Sequence, residues 1–213
     1  MNGDNAYIAV EGPIGVGKTS LARRLAASLD AETVLEQAEA NPFLPRFYAQ
    51  PREVALPTQL TFLFQRARQL EALMQNDLFR PARVADFILE KDWLFAGVTL
   101  ADDELALYHE VYRRVAPKAP RPDLVIYLQA SVGVLMQRIG TRGREFERGI
   151  RREYLEQVVA AYTRFFHHYT TSRVLIVNAE TVDLVNGEAD YRRLLTEIGN
   201  RHGQRSYFNL EAD

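Results

Sequence analysis

The chain contains no cysteine, so it has neither a disulfide nor a thiolate metal site. It has no apolar stretch of membrane-spanning length. An excess of one charge sign is missing too. The 26 basic and 28 acidic residues give a formal net charge of −2, which argues against a nucleic-acid duplex or a membrane surface as partner. The first five residues form no basic and apolar leader, and a cysteine-free chain suits a reducing compartment, so the expected location is the cytoplasm. There is no internal repeat or low-complexity tract, and only short proline-containing breaks near residues 42–57 and 117–122. The 213 residues, 47% of them hydrophobic, are expected to form one domain over residues 1–213.

What is present begins with Gly12, Pro13, Ile14, Gly15, Val16, Gly17, Lys18 and Thr19, a complete G-x-x-x-x-G-K-[ST] phosphate-binding loop. An apolar run, Tyr7 to Val10, precedes it as a strand, and helical spacing of leucine and alanine follows from Lys18 to Leu29. The glycines let the backbone curl until its N–H groups face phosphate oxygens at the positive end of a helix. Lys18 is placed to reach the β- and γ-phosphates, and Thr19 to ligate Mg²⁺.

Further strands are predicted at Thr33 to Leu35, Arg83 to Phe87, Leu124 to Leu128 and Val174 to Val177. Helices are predicted at Leu56 to Met74, Asp102 to Ala116, Ser131 to Arg142, Arg152 to Tyr169 and Asp190 to Arg201, with Asp102 and Ser131 as N-caps. Strand and helix alternate, which implies an α/β fold with a five-stranded parallel sheet flanked by helices. Ligands of such sheets bind beyond the carboxyl ends of the strands, so the glycine loop, Glu36 and Asp86 are expected to share one crevice.

The chain has no Asn-Lys-x-Asp segment of the kind that reads guanine, and no long apolar strand ending in Asp-Glu. Small-molecule kinases therefore lead. They need a carboxylate for the acceptor hydroxyl, cations for the transferred phosphoryl group and a closing segment against water. Glu36 and Asp86 are the carboxylates, and Arg138, Arg142 and Arg144 cluster before a glycine-containing loop.

Taken together, these residues resemble the deoxyribonucleoside kinases, above all their bacterial deoxyadenosine and deoxyguanosine kinase branch. The resemblance runs through most of the chain. Its specific stretches are Glu-Ala-Asn-Pro-Phe-Leu-Pro-Arg-Phe-Tyr from Glu39 to Tyr48 and Arg-Gly-Arg-Glu-Phe-Glu-Arg-Gly-Ile from Arg142 to Ile150. The resemblance implies a P-loop kinase three-layer sandwich with an arginine-rich lid at about residues 142–150, acting as a homodimer with ATP and Mg²⁺. It makes Glu36 the base at the 5′-hydroxyl, Tyr48 and Glu147 the partners of the 3′-hydroxyl, and Gln59 a paired donor and acceptor for the base. Arg138, Arg142 and Arg144 become phosphoryl-gripping lid arginines.

Arg66, seven residues beyond Gln59, shares its helix face and is a candidate partner for Asp92 or for the base. Phe62, Phe87 and Phe95 are candidate stacking residues. Asp86 is the candidate for holding Mg²⁺ through water beside Thr19. The family pattern has an arginine after this acid, whereas Phe87 stands here, so Lys91 or a lid arginine is the expected replacement. The implied activity is phosphorylation of a deoxyribonucleoside, purine favoured, at its 5′-hydroxyl. The alternatives are a thymidylate-type nucleoside monophosphate kinase and a non-catalytic nucleotide-binding module.

Overall fold

In the computed structural model, which describes residues 6–75, 82–116, 119–200 and 203–209, the apolar runs do pair as strands. Among those residues the first half runs β1 (Tyr7–Glu11), α1 (Lys18–Leu29), β2 (Glu32–Val34), α2 (Leu44–Ala49), α3 (Pro51–Gln75), β3 (Arg83–Ala85), α4 (Lys91–Thr99) and α5 (Asp102–Val115). The second half runs β4 (Leu124–Gln129), α6 (Val132–Arg142), α7 (Arg152–His168), β5 (Arg173–Asn178), α8 (Glu188–Gly199) and β6 (Arg205–Phe208). Single helical turns lie at Ala38–Ala40 and Glu145–Glu147.

The strands form one parallel sheet in the order β2-β3-β1-β4-β5-β6. Chain order reverses at β1, which lies between β3 and β4, so the crevice at its carboxyl end is the expected ligand position. Alternation along β1 builds the layers. Ile8 and Val10 join the core of α1, α6 and α8, while Ala9 faces the opposite core with Leu94 of α4 and Val158, Tyr162 and Phe166 of α7. Leu21, Ala22 and Leu25 of α1 are fully buried against the sheet. Each buried leucine is worth roughly 1.5–3 kcal/mol relative to exposure. No helix of the described residues is long and apolar enough to cross a membrane.

The sheet differs from the predicted five strands by β6, a four-residue edge strand parallel to β5. The segment near residues 42–57, predicted as a break, is helical over α2 and the start of α3. Asp102 is not an N-cap but the first residue of α5. The cap position belongs to Ala101, whose amide donates to Glu104 Oε2 at 3.2 Å, so an acid one turn into the helix satisfies the end that Asp102 was expected to close. Ser131 does occupy the N-cap position of α6, without a side-chain cap bond. The predicted helix end at Arg201 and the part of the predicted break at residues 117–118 lie outside the described residues.

Candidate active site

The phosphate loop connects β1 directly to α1. Gly12 has φ +146° and Gly15 φ +87°, both in the region that side chains disfavour. A Cβ at Gly12 would lie 2.4 Å from the carbonyl oxygen of Leu128, so β4 runs too close for any other residue. Val16 packs into the core, and its amide donates to the Pro13 carbonyl at 3.3 Å, closing the turn. The first amides of α1, from Lys18 onward, have no intrahelical acceptor and carry the positive end of the helix dipole. Lys18 Nζ donates to the carbonyl oxygens of Gly12 (2.8 Å) and Pro13 (3.0 Å), folding back over the loop.

Beside this loop is a cavity of about 840 Å³, lined by Ile14, Gly15, Lys18 and Thr19 of the loop region together with Glu36 and Asp86. The expected convergence on one crevice is therefore present. Asp86, one residue beyond β3, accepts from the Thr19 hydroxyl at 2.5 Å and from the Glu36 amide at 2.7 Å. One carboxylate thus fixes both the start of α1 and the backbone at Glu36. Among the described residues no group of three or more acidic or histidine side chains gathers as a metal cage. A hydroxyl and a carboxylate in contact are hard oxygen donors of the kind Mg²⁺ takes alongside waters and phosphates, so the pair fits that ion.

The floor of the cavity is a charge network. Arg66 Nε donates to Glu36 Oε1 at 2.9 Å, and the same guanidinium pairs through Nη1 with Asp92 and through Nη2 with Glu36. Lys91 Nζ lies 3.3 Å from Glu36 Oε2 and 3.9 Å from Glu11 Oε1. Burial alone would raise the Glu36 pKa, but Arg66, Lys91 and Lys18 outweigh it and hold the carboxyl at about 2. The Lys18 pKa is lowered too, which in an ammonium disfavours the charged form. Burial and then the neighbouring Lys91 ammonium lower it to about 8, against the pull of Glu11, Glu36 and Asp86. Sequence reasoning did not single out Glu11. It is fully buried and accepts from the amides of Gly12 (3.0 Å) and Ile88 (2.8 Å) and from the Tyr162 hydroxyl (2.9 Å).

The opposite wall comes from α2, α3 and the segment expected to act as the lid. Tyr48 of α2 and Gln59 of α3 are buried side chains that line the cavity, and Glu147 joins them from the turn at Glu145–Glu147. Burial, then Tyr154 and Glu147 nearby, push the Tyr48 phenol well above its ordinary pKa, so it remains a hydrogen-bond donor. Glu147 is gripped by a forked Arg142, with Nη2 2.6 Å from Oε1 and Nε 3.1 Å from Oε2. Arg144 also lines the cavity and pairs with Glu39 at 3.4 Å, half-exposed.

Arg138 is elsewhere, on the loop's far flank, donating to the carbonyl of Ala179 at 2.7 Å and reaching that of Val16 at 3.5 Å. Phe62 and Phe95 line the cavity as expected of stacking residues. Phe87 does not. It is fully buried with Val34, Leu70, Ala85 and Leu89, because the chain turns after Asp86 and delivers the next side chain to the core.

Residues 8–202 match the family model described as deoxynucleoside kinase. The chain is 34% identical over 197 residues to the deoxyguanosine kinase of Bacillus subtilis (strain 168), an overlap of 90% of this chain and 95% of that protein. It is 28% identical to the deoxyadenosine/deoxycytidine kinase of the same organism, over 92% of this chain and 93% of the relative. Among solved structures, a deoxyadenosine kinase from M. mycoides with bound dATP superposes with a TM-score of 0.80 at 24% identity, covering 92% of this chain and 100% of that one. The last likeness is one of fold.

Proposed function

The chain belongs to the deoxynucleoside kinase family, and from that premise we propose that it transfers the γ-phosphoryl group of ATP to the 5′-hydroxyl of a purine deoxynucleoside, giving the monophosphate in nucleotide salvage. The observation that carries this reading is a shared cavity: Lys18 and Thr19 of the phosphate loop, the Glu36 carboxylate, and Tyr48, Gln59 and Glu147 all face one space. That set supplies a phosphate end, a reacting carboxylate and a polar wall for a sugar and base.

In this reading Tyr48 and Glu147 hold the 3′-hydroxyl, one donating and one accepting, so that the 5′-oxygen is carried toward Glu36. Glu36 accepts a hydrogen bond from the 5′-hydroxyl and takes its proton as the new bond forms. A carboxyl held at about 2 is a weak base. Its first task is to aim the hydroxyl, which suits a loose phosphoryl-transfer transition state in which the proton leaves late. Gln59 presents both donor and acceptor to the base, and Arg66, paired with Asp92 and Glu36, couples the base end of the cavity to the reacting end. Thr19 and Asp86 would hold Mg²⁺, which neutralises charge on the β- and γ-oxygens when bound. Arg142 and Arg144 add cations from the lid, and Arg138 flanks the nucleotide side of the loop.

The purine preference rests on the names of the relatives and on the two resembling stretches. Homodimerisation is part of the same reading, supported by exposed Phe64 on α3 and Leu107 on α5; light scattering that gives one chain mass at micromolar concentration would remove it. ATP and nucleosides meet in the cytoplasm, and cell fractionation tests that location. For the reaction itself, folded protein is incubated with Mg-ATP and, separately, each of the four deoxynucleosides and dTMP. Monophosphate from deoxyadenosine or deoxyguanosine is the expected result. No product from any nucleoside overturns the reading, and turnover of dTMP alone replaces it with a nucleoside monophosphate kinase.

A further inference from the structure

We propose that Lys91 is a catalytic residue of this protein, the cation that contacts the oxygens of the transferred phosphoryl group from the floor of the cavity. The proposal rests on the phosphoryl-transfer reading above. Lys91 is the first residue of α4, and its side chain lines the cavity while only 3% exposed. An ammonium has three donors. One is used on Glu36 Oε2 at 3.3 Å, whereas Glu11 Oε1, at 3.9 Å, is beyond hydrogen-bond length. Glu11 is already committed to the amides of Gly12 and Ile88 and to the Tyr162 hydroxyl. A buried ammonium with donor capacity to spare, bordering an open cavity, suits an anionic guest.

Its surroundings say which anion. On one side is Glu36, where the acceptor oxygen is aimed, and Lys18, the loop's phosphate ligand, feels the repulsion of the Lys91 charge. A phosphoryl group passing from the loop to the 5′-oxygen aimed by Glu36 travels between these two ammoniums. As the bond from the 5′-oxygen to phosphorus forms and the bond from phosphorus to the β-oxygen breaks, the hydroxyl proton goes to Glu36 and ADP departs. Lys91 turns from Glu36 to the terminal phosphoryl oxygens when the nucleotide binds, and neutralises their charge as the group transfers. The lid arginines are engaged at the rim or beyond it: Arg142 on Glu147, Arg144 on Glu39, Arg138 on backbone carbonyls. Phe87, where a cation is expected next to Asp86, is sealed in the core. Lys91 therefore delivers that charge from four residues further along.

The test compares K91M with the wild-type chain. Calorimetry gives the affinities for Mg-AMP-PNP, which carries a terminal phosphoryl group, and for Mg-ADP, which does not. The expected result is a fall of roughly tenfold in the preference for AMP-PNP over ADP, with circular dichroism unchanged. An unchanged preference overturns the proposal, whatever happens to turnover. This binding comparison remains decisive even if the wild type phosphorylates no deoxynucleoside, an outcome that defeats the wider reading on its own. Where the wild type is active, kcat in K91M falls about 10²- to 10³-fold, the range seen on removing one transition-state donor. A rise in the nucleoside KM with kcat retained assigns Lys91 to sugar positioning and also overturns the proposal. If K91M does not fold, K91Q, polar and uncharged, carries the same comparison.

Discussion

Two charged side chains set the pH behaviour of the centre; both pKa values are lowered, which favours the charged form of Glu36 and the neutral form of Lys18. Glu36 is held ionised down to about 2 by Arg66, Lys91 and Lys18 against its burial, so protonating it plays no part near neutrality. Replacing it by glutamine keeps the shape and removes the proton acceptor. E36Q is expected to lower kcat by about 10²- to 10³-fold while steady-state kinetics and calorimetry show Mg-ADP affinity within about threefold of wild type; retained turnover would move the base elsewhere. Lys18, lowered to about 8 by burial and Lys91, keeps its proton only below that pH in the free protein. Phosphate selects the protonated form, so Mg-AMP-PNP affinity is constant below about 8 and weakens above it, by up to roughly tenfold per pH unit for one linked proton. An ordinary lysine would defer that loss to about 10.5. Calorimetry from pH 7 to 9.5 reads the break, and a flat profile removes the shift. Lys18, Thr19 and Glu36 were legible because a loop motif and a strand end announce them. Glu11 was not, because its meaning lies in an amide 77 residues away and a hydroxyl 151 residues away.

At the scale of elements, the proposed sugar wall is a contact between α2 and the proposed lid, residues 142–150. Gly149 is the close point, where an added Cβ would lie 3.0 Å from the Tyr48 carbonyl oxygen and 3.1 Å from its Cβ. Either the lid or α2 must then yield by a few tenths of an ångström, and both carry residues that face the cavity, Glu147 and Tyr48. G149A is expected to raise the deoxynucleoside KM about five- to tenfold, with ADP affinity unchanged because the loop lies on the other side of the cavity. An unaltered KM means that the lid and Tyr48 do not act as one unit. The elements around this contact explain what the sequence pattern concealed. Pro45, Pro51 and Pro57 suggested a break, yet proline is compatible with the first turn of a helix, where its missing N–H has no partner anyway. Pro45 is the second residue of α2 and Pro51 the first of α3. Val54 interrupts α3 with φ −134°, so Pro57 falls in the first turn of a renewed helix. Asn41 then ties the two together, its amide donating to the Thr58 carbonyl at 3.0 Å and its side-chain oxygen accepting from the Phe43 amide at 3.1 Å. Prolines read singly marked ends of helices that begin there.

For the whole molecule, the sheet divides the labour between its two sides. The β2-β3-β1 side carries Glu11, Glu36 and Asp86 at strand ends, while β5 and β6 extend the opposite side. The parallel sheet was legible from alternating strands and helices, but β6 was not. Four residues with Tyr207 exposed present no alternation long enough to read, and the strand exists because β5 offers it an edge. Phe208 is its anchor, 9% exposed and part of the core that also holds Val177 of β5 and Leu194 and Ile198 of α8. Replacing a buried phenylalanine by alanine costs roughly 3 kcal/mol through lost transfer energy and an unfilled cavity. For a chain of this size that is about 6–12 °C in Tm. Because the Phe208 strand is separated from β1 by β5 and β4, F208A is expected to lower Tm by that amount in calorimetry while leaving kcat and both KM values within about twofold of wild type at a temperature where the protein is folded. A loss of turnover matching the loss of stability would mean that the far edge of the sheet governs the geometry around Glu36, and the separation between scaffold and site would fail.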